Sequence, residues 1–270
     1  MRLVRFLAMA LIAALALSPG ASTRAGAPIP VDVQLVLAVD ISYSMDFDEL
    51  ALQREGYITA LTSKEFIDAL RNGAHGKIAL IYIEWAGTHE QTIVVPWTLI
   101  SDRASAEAFV AKLSAAPIRR TYRTSISGGL IFSAAQFANS DFKGVRRVID
   151  ISGDGTNNQG PLIEPTRDEI IAKGIVINGL PLQLKMPVGS MLDINNLHEY
   201  YEDCVIGGPG SFSIPVKERS QFVNAVRQKL ILEVSGITPQ HIAPHTIPAA
   251  KPPRVSCTIG EQMWLQRWGN

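Results

Sequence analysis

The chain has 270 residues, two of them cysteine, and balances 25 Lys and Arg against 25 Asp and Glu. Its length suits one sizeable domain or two small ones. A balance with no basic surplus argues against nucleic acid or an anionic membrane surface as the main partner.

The first residues read as a targeting segment. Arg2 and Arg5 precede the apolar run FLAMALIAALAL, which has the length of a signal-peptide core and falls short of a bilayer span. Ala25-Gly26-Ala27 offers a small-x-small cleavage pattern, so residues 1–27 are expected to be removed, leaving an exported chain, periplasmic or secreted. An uncleaved anchor is the alternative, which the shortness of the run disfavours. No Cys follows the apolar core, which argues against a lipid anchor, and no later segment is apolar for long enough to span a membrane. The leader holds three arginines and no acid, so 22 basic residues face 25 acidic ones in the rest, a slight negative balance. In an oxidising compartment the distant pair Cys204 and Cys257 implies one disulfide, which would pin the Pro-rich C-terminal segment onto the domain. Two free buried thiols are the alternative.

In chain order, VDVQLVLAV (31–39) is rich in branched residues and predicts a buried strand. Residues 46–71 predict one helix, with capping-box spacing between Asp46 and Glu49. KIALIYIEWA (77–86) and QTIVVPW (91–97) predict strands, the second at a sheet edge because of Pro96. A helix over 103–114, the loop APIRRTYRT, a helix over 125–138 and a strand over 145–151 follow. SGDGTNNQG is a loop. Then come a helix over 164–173, the strand GIVINGLPL, a helix over 192–202, a short strand in GGPGSFSIPV and a helix over 218–235. Strands alternating with helices predict an α/β fold, a doubly wound, Rossmann-like, mostly parallel sheet with helices on both faces. The expected organisation is a domain over 28–236 and a Pro-rich extension over 237–270 packed on it. Ligands of such sheets bind beyond the carboxyl ends of the strands, and Asp40 and Asp154 both fall there.

Asp40, Ser42 and Ser44 stand at alternate positions after the first strand and can present a carboxylate and two hydroxyls to one point. A hard divalent cation takes oxygen ligands, six of them for Mg²⁺. Thr124, before a predicted helix, and Asp154, in the loop after VIDIS, could complete the set. Each fragment has a structural alternative. Ser44 or Asp46 could cap the next helix, and SGDGTNN could be an ordinary turn.

Taken together, Asp40, Ser42, Ser44, Thr124 and Asp154-Gly155 resemble the von Willebrand factor A domain with its metal-ion-dependent adhesion site. YIEWAG, DISGDGTNN and YYEDCVIGGPGSF further resemble an uncharacterised family of secreted bacterial proteins built on that domain. The resemblance implies that Asp40 and Asp154 act partly through water, that the hydroxyls bind a cation directly, and that an Asp or Glu of a protein partner fills an open position. Mg²⁺ is the expected ion, with Mn²⁺ or Ca²⁺ as alternatives. The sequence departs from the pattern at Ile126, where a second Thr is common, and at Gly153, where a Thr often precedes the Asp; Thr121 rivals Thr124.

An adhesion-type module is therefore expected rather than an enzyme. With Asp40 as a phosphoryl-accepting nucleophile, an aspartyl phosphatase would use a second Asp two residues on as acid/base, where Ser42 stands, and a metal-assisted hydrolase would need a general base near the open position, which is not evident. SISGG lacks the first Gly of a nucleophile elbow, and neither a phosphate-binding G-x-x-x-x-G-K-[ST] nor H-E-x-x-H occurs. A structural protein with an ordering metal is a third possibility. Arg119, Arg120 and Arg123 could steer an acidic partner or form a solvated surface loop, the commoner case. Trp264 and Trp268, four residues apart, would share a face of a helical tail. His198 is expected at a surface or helix end.

Overall fold

A computed structural model describes residues 27–184, 194–236 and 253–268. The expected leader lies outside these residues, as does most of the Pro-rich segment. The strands are β1 Ile29–Asp40, β2 Ile78–Trp85, β3 Gln91–Ile100, β4 Phe142–Gly153 and β5 Val176–Pro181, in the sheet order β3-β2-β1-β4-β5. All neighbours are parallel except β2 and β3, which form an antiparallel pair at one edge. The register of that pair slips between Leu80 and Tyr82, opposite Thr98 and Val95, where Pro96 has no N–H to offer.

The helices are α1 Phe47–Leu61, α2 Lys64–Arg71, α3 Arg103–Ala115, α4 Ile126–Gln136, α5 Ile163–Ala172, α6 Leu197–Tyr200, α7 Phe222–Ser235 and α8 Ile259–Trp268. The single helix expected over 46–71 is two. The Thr62 hydroxyl bonds back to the carbonyl of Ile58 and that of Ser63 to Ala60, and Ser63 then caps α2 through the Phe66 amide. Local hydroxyls compete with the helix ladder there and end it. The helix expected over 192–202 is the short α6, running into a π-helical turn at Tyr201–Val205. The strand expected in GGPGSFSIPV makes only isolated bridges, Gly207 and Ser213 to β5 and Val216 to Leu182 just beyond it.

The alternation of β1 divides the molecule into two cores. Val33, Leu35, Leu37 and Val39 face α1, α2, α3 and α7, whereas Val36 and Ala38 face α4, α5 and α6. Asp40 continues the even-numbered series, so the central strand delivers its carboxylate toward α4 and the Tyr200–Tyr201 segment.

Candidate metal centre

β1 lies between β2 and β4 and ends at Asp40, which is fully buried. The chain turns at once, because the Ser42 amide donates to Asp40 Oδ1 at 2.7 Å. The hydroxyls of Ser42 and Ser44 then lie 2.7 Å apart. Asp46, not Ser44, caps α1: it accepts from the Glu49 amide at 2.8 Å, while the Glu49 carboxylate accepts from the Asp46 amide at 2.8 Å. The helix start is thus satisfied without drawing on the three groups before it.

The other half of the site comes from the next strand. β4 runs beside β1 and ends at Gly153, placing Asp154 on the same rim; Ser44 Oγ donates to Asp154 Oδ1 at 2.5 Å. Thr124 is buried and tied to the loop after β4: its amide donates to Asn158 Oδ1 at 3.1 Å, and its carbonyl accepts from the Asn158 amide at 2.9 Å. A Cβ placed on Gly155 would lie 3.7 Å from Thr124 Oγ1. Thr121 pairs through its backbone with Ser42, its amide donating to the Ile41 carbonyl at 2.9 Å. Asp40, Ser42, Ser44, Thr124 and Asp154 therefore meet on one rim, with Thr124 nearer the Asp154 loop and Thr121 nearer Ser42. Ile126 is fully buried in the core under α4, so its side chain belongs to packing rather than to the rim.

Burial pushes the Asp40 carboxyl well above the usual carboxylate range, and the charge of Asp154 pushes it further; the Ser42 hydrogen bonds and the Asp154 amide oppose the shift. Asp40 Oδ2 is buried with no hydrogen-bond partner in normal geometry. A buried oxygen left in that state costs free energy unless something compensates it. Among the described residues no group of three or more His, Cys, Asp or Glu side chains could hold a metal ion. Two carboxylates with serine and threonine hydroxyls is a donor set that fits a hard cation and suits no soft one.

Tyr201 is a member of this neighbourhood that sequence reasoning missed. A Cβ on Gly153 would lie 2.8 Å from Asp40 Oδ2 and 2.9 Å from the Tyr201 hydroxyl, so glycine is what lets the phenol approach Asp40. Burial and then the Asp40 charge push the Tyr201 hydroxyl well up, holding it neutral and able to donate. The Tyr-Tyr pair in YYEDCV was visible, but nothing in its spacing pointed to Asp40.

The C-terminal helix also bears on the rim. Cys204 and Cys257 form a disulfide, with Cα atoms 5.4 Å apart, and α8 follows. Gly260 rests on the loop after β4, where an added Cβ would meet the Asn157 carbonyl at 2.1 Å; Glu261 Oε1 accepts from Asn157 Nδ2 at 2.7 Å. Asn157 in turn receives the Ser127 amide at 3.0 Å and donates its own amide to the Tyr200 hydroxyl at 3.1 Å. The arginine loop is not simply solvated. Arg119 lies 3.4 Å from the Glu84 carboxylate, Arg120 sits over Tyr43, and Arg123 sits over Trp264. His198, on α6, lies 3.1 Å from Glu202.

A sheet in this order, with helices on both faces and an Asp-x-Ser-x-Ser turn opposite a second Asp on its C-terminal rim, defines a von Willebrand factor A-like domain. The chain belongs to the family described as protein of unknown function (DUF1194), whose profile matches residues 30–238. Solved structures with the same fold include the pilus adhesin SpaC from Lactobacillus rhamnosus GG, at 12% identity over 76% of this chain and 31% of that one, TM-score 0.58. Proximal thread matrix protein 1 from the mussel byssus matches at 10% identity over 77% of this chain and 49% of its own, TM-score 0.57; another structure of it has a zinc-occupied MIDAS motif. A von Willebrand factor type A protein from Catenulispora acidiphila matches at 13% identity over 76% and 43%, TM-score 0.51. The chain spans less than half the length of each of these proteins. No curated protein sequence matches. Among the described residues no helix is long and apolar enough to cross a membrane.

Proposed function

We propose that the chain is an exported, metal-dependent protein-binding module of adhesion type. Asp40, Ser42, Ser44, Thr124 and Asp154 would hold a divalent cation, Mg²⁺ before Mn²⁺ or Ca²⁺, at the C-terminal rim of the sheet. The observation that carries this reading is the convergence of Asp40 and Asp154 around a hydroxyl pair, with Asp40 fully buried and its Oδ2 without a well-formed hydrogen bond. Two carboxylates this close repel, and a cation between them removes both the repulsion and the desolvation cost. When bound, the cation would supply a coordination position for an Asp or Glu carboxylate of a partner protein. The solved neighbours, among them an adhesin and a matrix protein, support the adhesion class; export follows from the expected leader over residues 1–27.

The test is affinity capture from an envelope fraction with and without EDTA, beside Mg²⁺ titration calorimetry, using Asp40→Ala as control. Wild-type protein is expected to bind Mg²⁺ and to capture a partner only without chelator, and Asp40→Ala to do neither. Capture undiminished by EDTA refutes the proposal. Mg²⁺ binding that raises the melting temperature without any capture would favour a metal that only orders the rim loops.

A further inference from the structure

The segments that carry the candidate ligands also carry exposed aromatic rings. Tyr43 lies between Ser42 and Ser44, Phe47 starts α1, and Tyr122 lies between Thr121 and Thr124. Ser42 to Met45 form a turn, closed by the Met45 amide donating to the Ser42 carbonyl at 3.1 Å, and Tyr43 lies at its exposed tip while Ser42 and Ser44 meet at the rim. Tyr43, Phe47 and Tyr122 are 45%, 59% and 69% exposed. They are not independent. The rings of Tyr43 and Tyr122 stack at 4.2 Å with 4° between their planes. The Arg120 guanidinium lies 4.3 Å over Tyr43 and 6.0 Å from Phe47, and it donates to the Tyr43 carbonyl. The result is a pre-ordered ledge of three rings and one guanidinium on the lip of the site.

Two properties say what it fits. Flat aromatic area held in water, already ordered, gains on contact with another apolar surface and costs little further entropy; Tyr and Arg dominate the energetics of protein interfaces for that reason. The ledge is also positive. Arg119, Arg120 and Arg123 fall within five residues, and the Glu84 carboxylate beside Arg119 is shared with Arg54. The nearby acids Asp46 and Glu49 lie 3.4 and 3.6 Å from Arg219.

We infer that this ledge selects the partner: a protein segment whose Asp or Glu engages the rim and whose residue two positions away presents an aromatic ring to Tyr43 and Tyr122. The inference rests on the cation site proposed above. The spacing follows from extended geometry, in which residues two apart share a face about 7 Å apart. The acidic character follows from the arginines.

The probes are immobilised synthetic peptides of sequence Gly-Asp-Gly-Phe-Gly, a version with Ala for Phe and a version with Asn for Asp, read by biosensor in saturating Mn²⁺. Mn²⁺ uptake is followed separately by electron paramagnetic resonance. Wild-type protein is expected to bind the Phe peptide about ten-fold more tightly than the Ala peptide, the scale of one well-seated aromatic anchor. It should bind the Asn peptide far more weakly than either. Tyr43→Ser with Tyr122→Ser is expected to take up Mn²⁺ as the wild type does and to lose the Phe preference. Tyr122→Ala alone, at the most exposed ring, should lose part of it. Mn²⁺ uptake with no Phe preference in the wild type, or a preference that survives in the double variant, overturns the ledge while leaving the cation site standing. No Mn²⁺ uptake by the wild type overturns both.

Discussion

The Arg123 guanidinium lies 3.3 Å over the indole ring of Trp264, joining the loop that carries Thr124 to the C-terminal helix. Arg123 has a φ of 75°, the only positive φ among the described non-glycine residues, and it immediately precedes Thr124. A side-chain residue held there costs about 1 kcal/mol or more, so the conformation needs something to hold it. The stack on Trp264 is the contact at hand, and burial beneath it depresses the Arg123 pKa. Trp264→Ala is therefore expected to weaken Mg²⁺ binding by roughly three- to ten-fold, the worth of a partly desolvated cation–π contact. Calorimetric titration with Mg²⁺ checks it, and an unchanged affinity would remove the Arg123–Trp264 stack from any role at the rim.

The disulfide closes a loop spanning 53 residues between Cys204 and Cys257. Loop-closure entropy alone assigns such a cross-link about 4 kcal/mol, or roughly 10 °C in melting temperature for a domain of this size. Calorimetric scans of the oxidised protein, the reduced protein and Cys257→Ser are expected to show that loss. Arg254 binds the Asp203 and Glu202 carboxylates at 2.9 and 2.6 Å and holds part of the same junction. A loss of only a degree or two would mean that this ion-pair cluster secures the junction without the disulfide.

Gly153 and Tyr201 form a matched pair. Gly153→Ala would push a methyl into Asp40 Oδ2 and the Tyr201 hydroxyl and is expected to destabilise by about 1–3 kcal/mol. Tyr201→Phe removes one of the two clashing atoms. In the double variant the loss should be smaller than the sum of the single losses, the sign of coupled neighbours. Urea denaturation of all four proteins measures it. Strict additivity would mean that the two residues do not compete for the space beside Asp40.

Much of this rim was legible in sequence because its main signals are local. Asp-x-Ser-x-Ser ends an apolar run, and Asp-Gly follows another, so the topology rule for parallel sheets puts both on one edge. What could not be read depends on contacts between distant segments. Tyr201 comes beside Gly153 and Asp40 because the π-helical turn after α6 packs against α5 and β5, and α8 reaches Asn157 only because a disulfide returns it there. The break between α1 and α2 is hidden in the sequence for a different reason. Apolar periodicity runs through Thr62-Ser63, and only the side-chain bonds to the preceding carbonyls reveal the stop. The three arginines looked like a solvated loop because their partners, Tyr43, Glu84 and Trp264, come from three separate elements.

A second buried charge cluster, away from the rim, sets a pH dependence. Asp150 on β4 and Glu233 on α7 flank Lys229, whose Nζ is 2.9 Å from Asp150 Oδ1 and 2.8 Å from Glu233 Oε1; all three side chains are buried. Glu233 is further held by Asn178, which donates to both its oxygens at 2.9 Å, whereas Asp150 Oδ2 has no hydrogen bond. Burial dominates at Asp150. Lys229 pulls its pKa down and Glu233 pushes it up, leaving it at about 6 against an ordinary 3.8. A carboxyl whose pKa is raised by folding binds its proton more tightly in the native state. Its contribution to stability is complete below 3.8 and is lost as pH climbs through about 6. By 1.36 kcal/mol per pH unit, the loss is about 3 kcal/mol at most. The melting temperature is thus expected to fall between about pH 4 and pH 7. Asp40 shifts in the same direction when no cation is bound, so the wild-type slope has two sources. Asp150→Asn keeps an oxygen facing Lys229 but cannot titrate, and it should flatten the slope without abolishing it. If the variant and the wild type lose stability in parallel across that range, Asp150 is ionised in the folded protein throughout and Lys229 outweighs its burial.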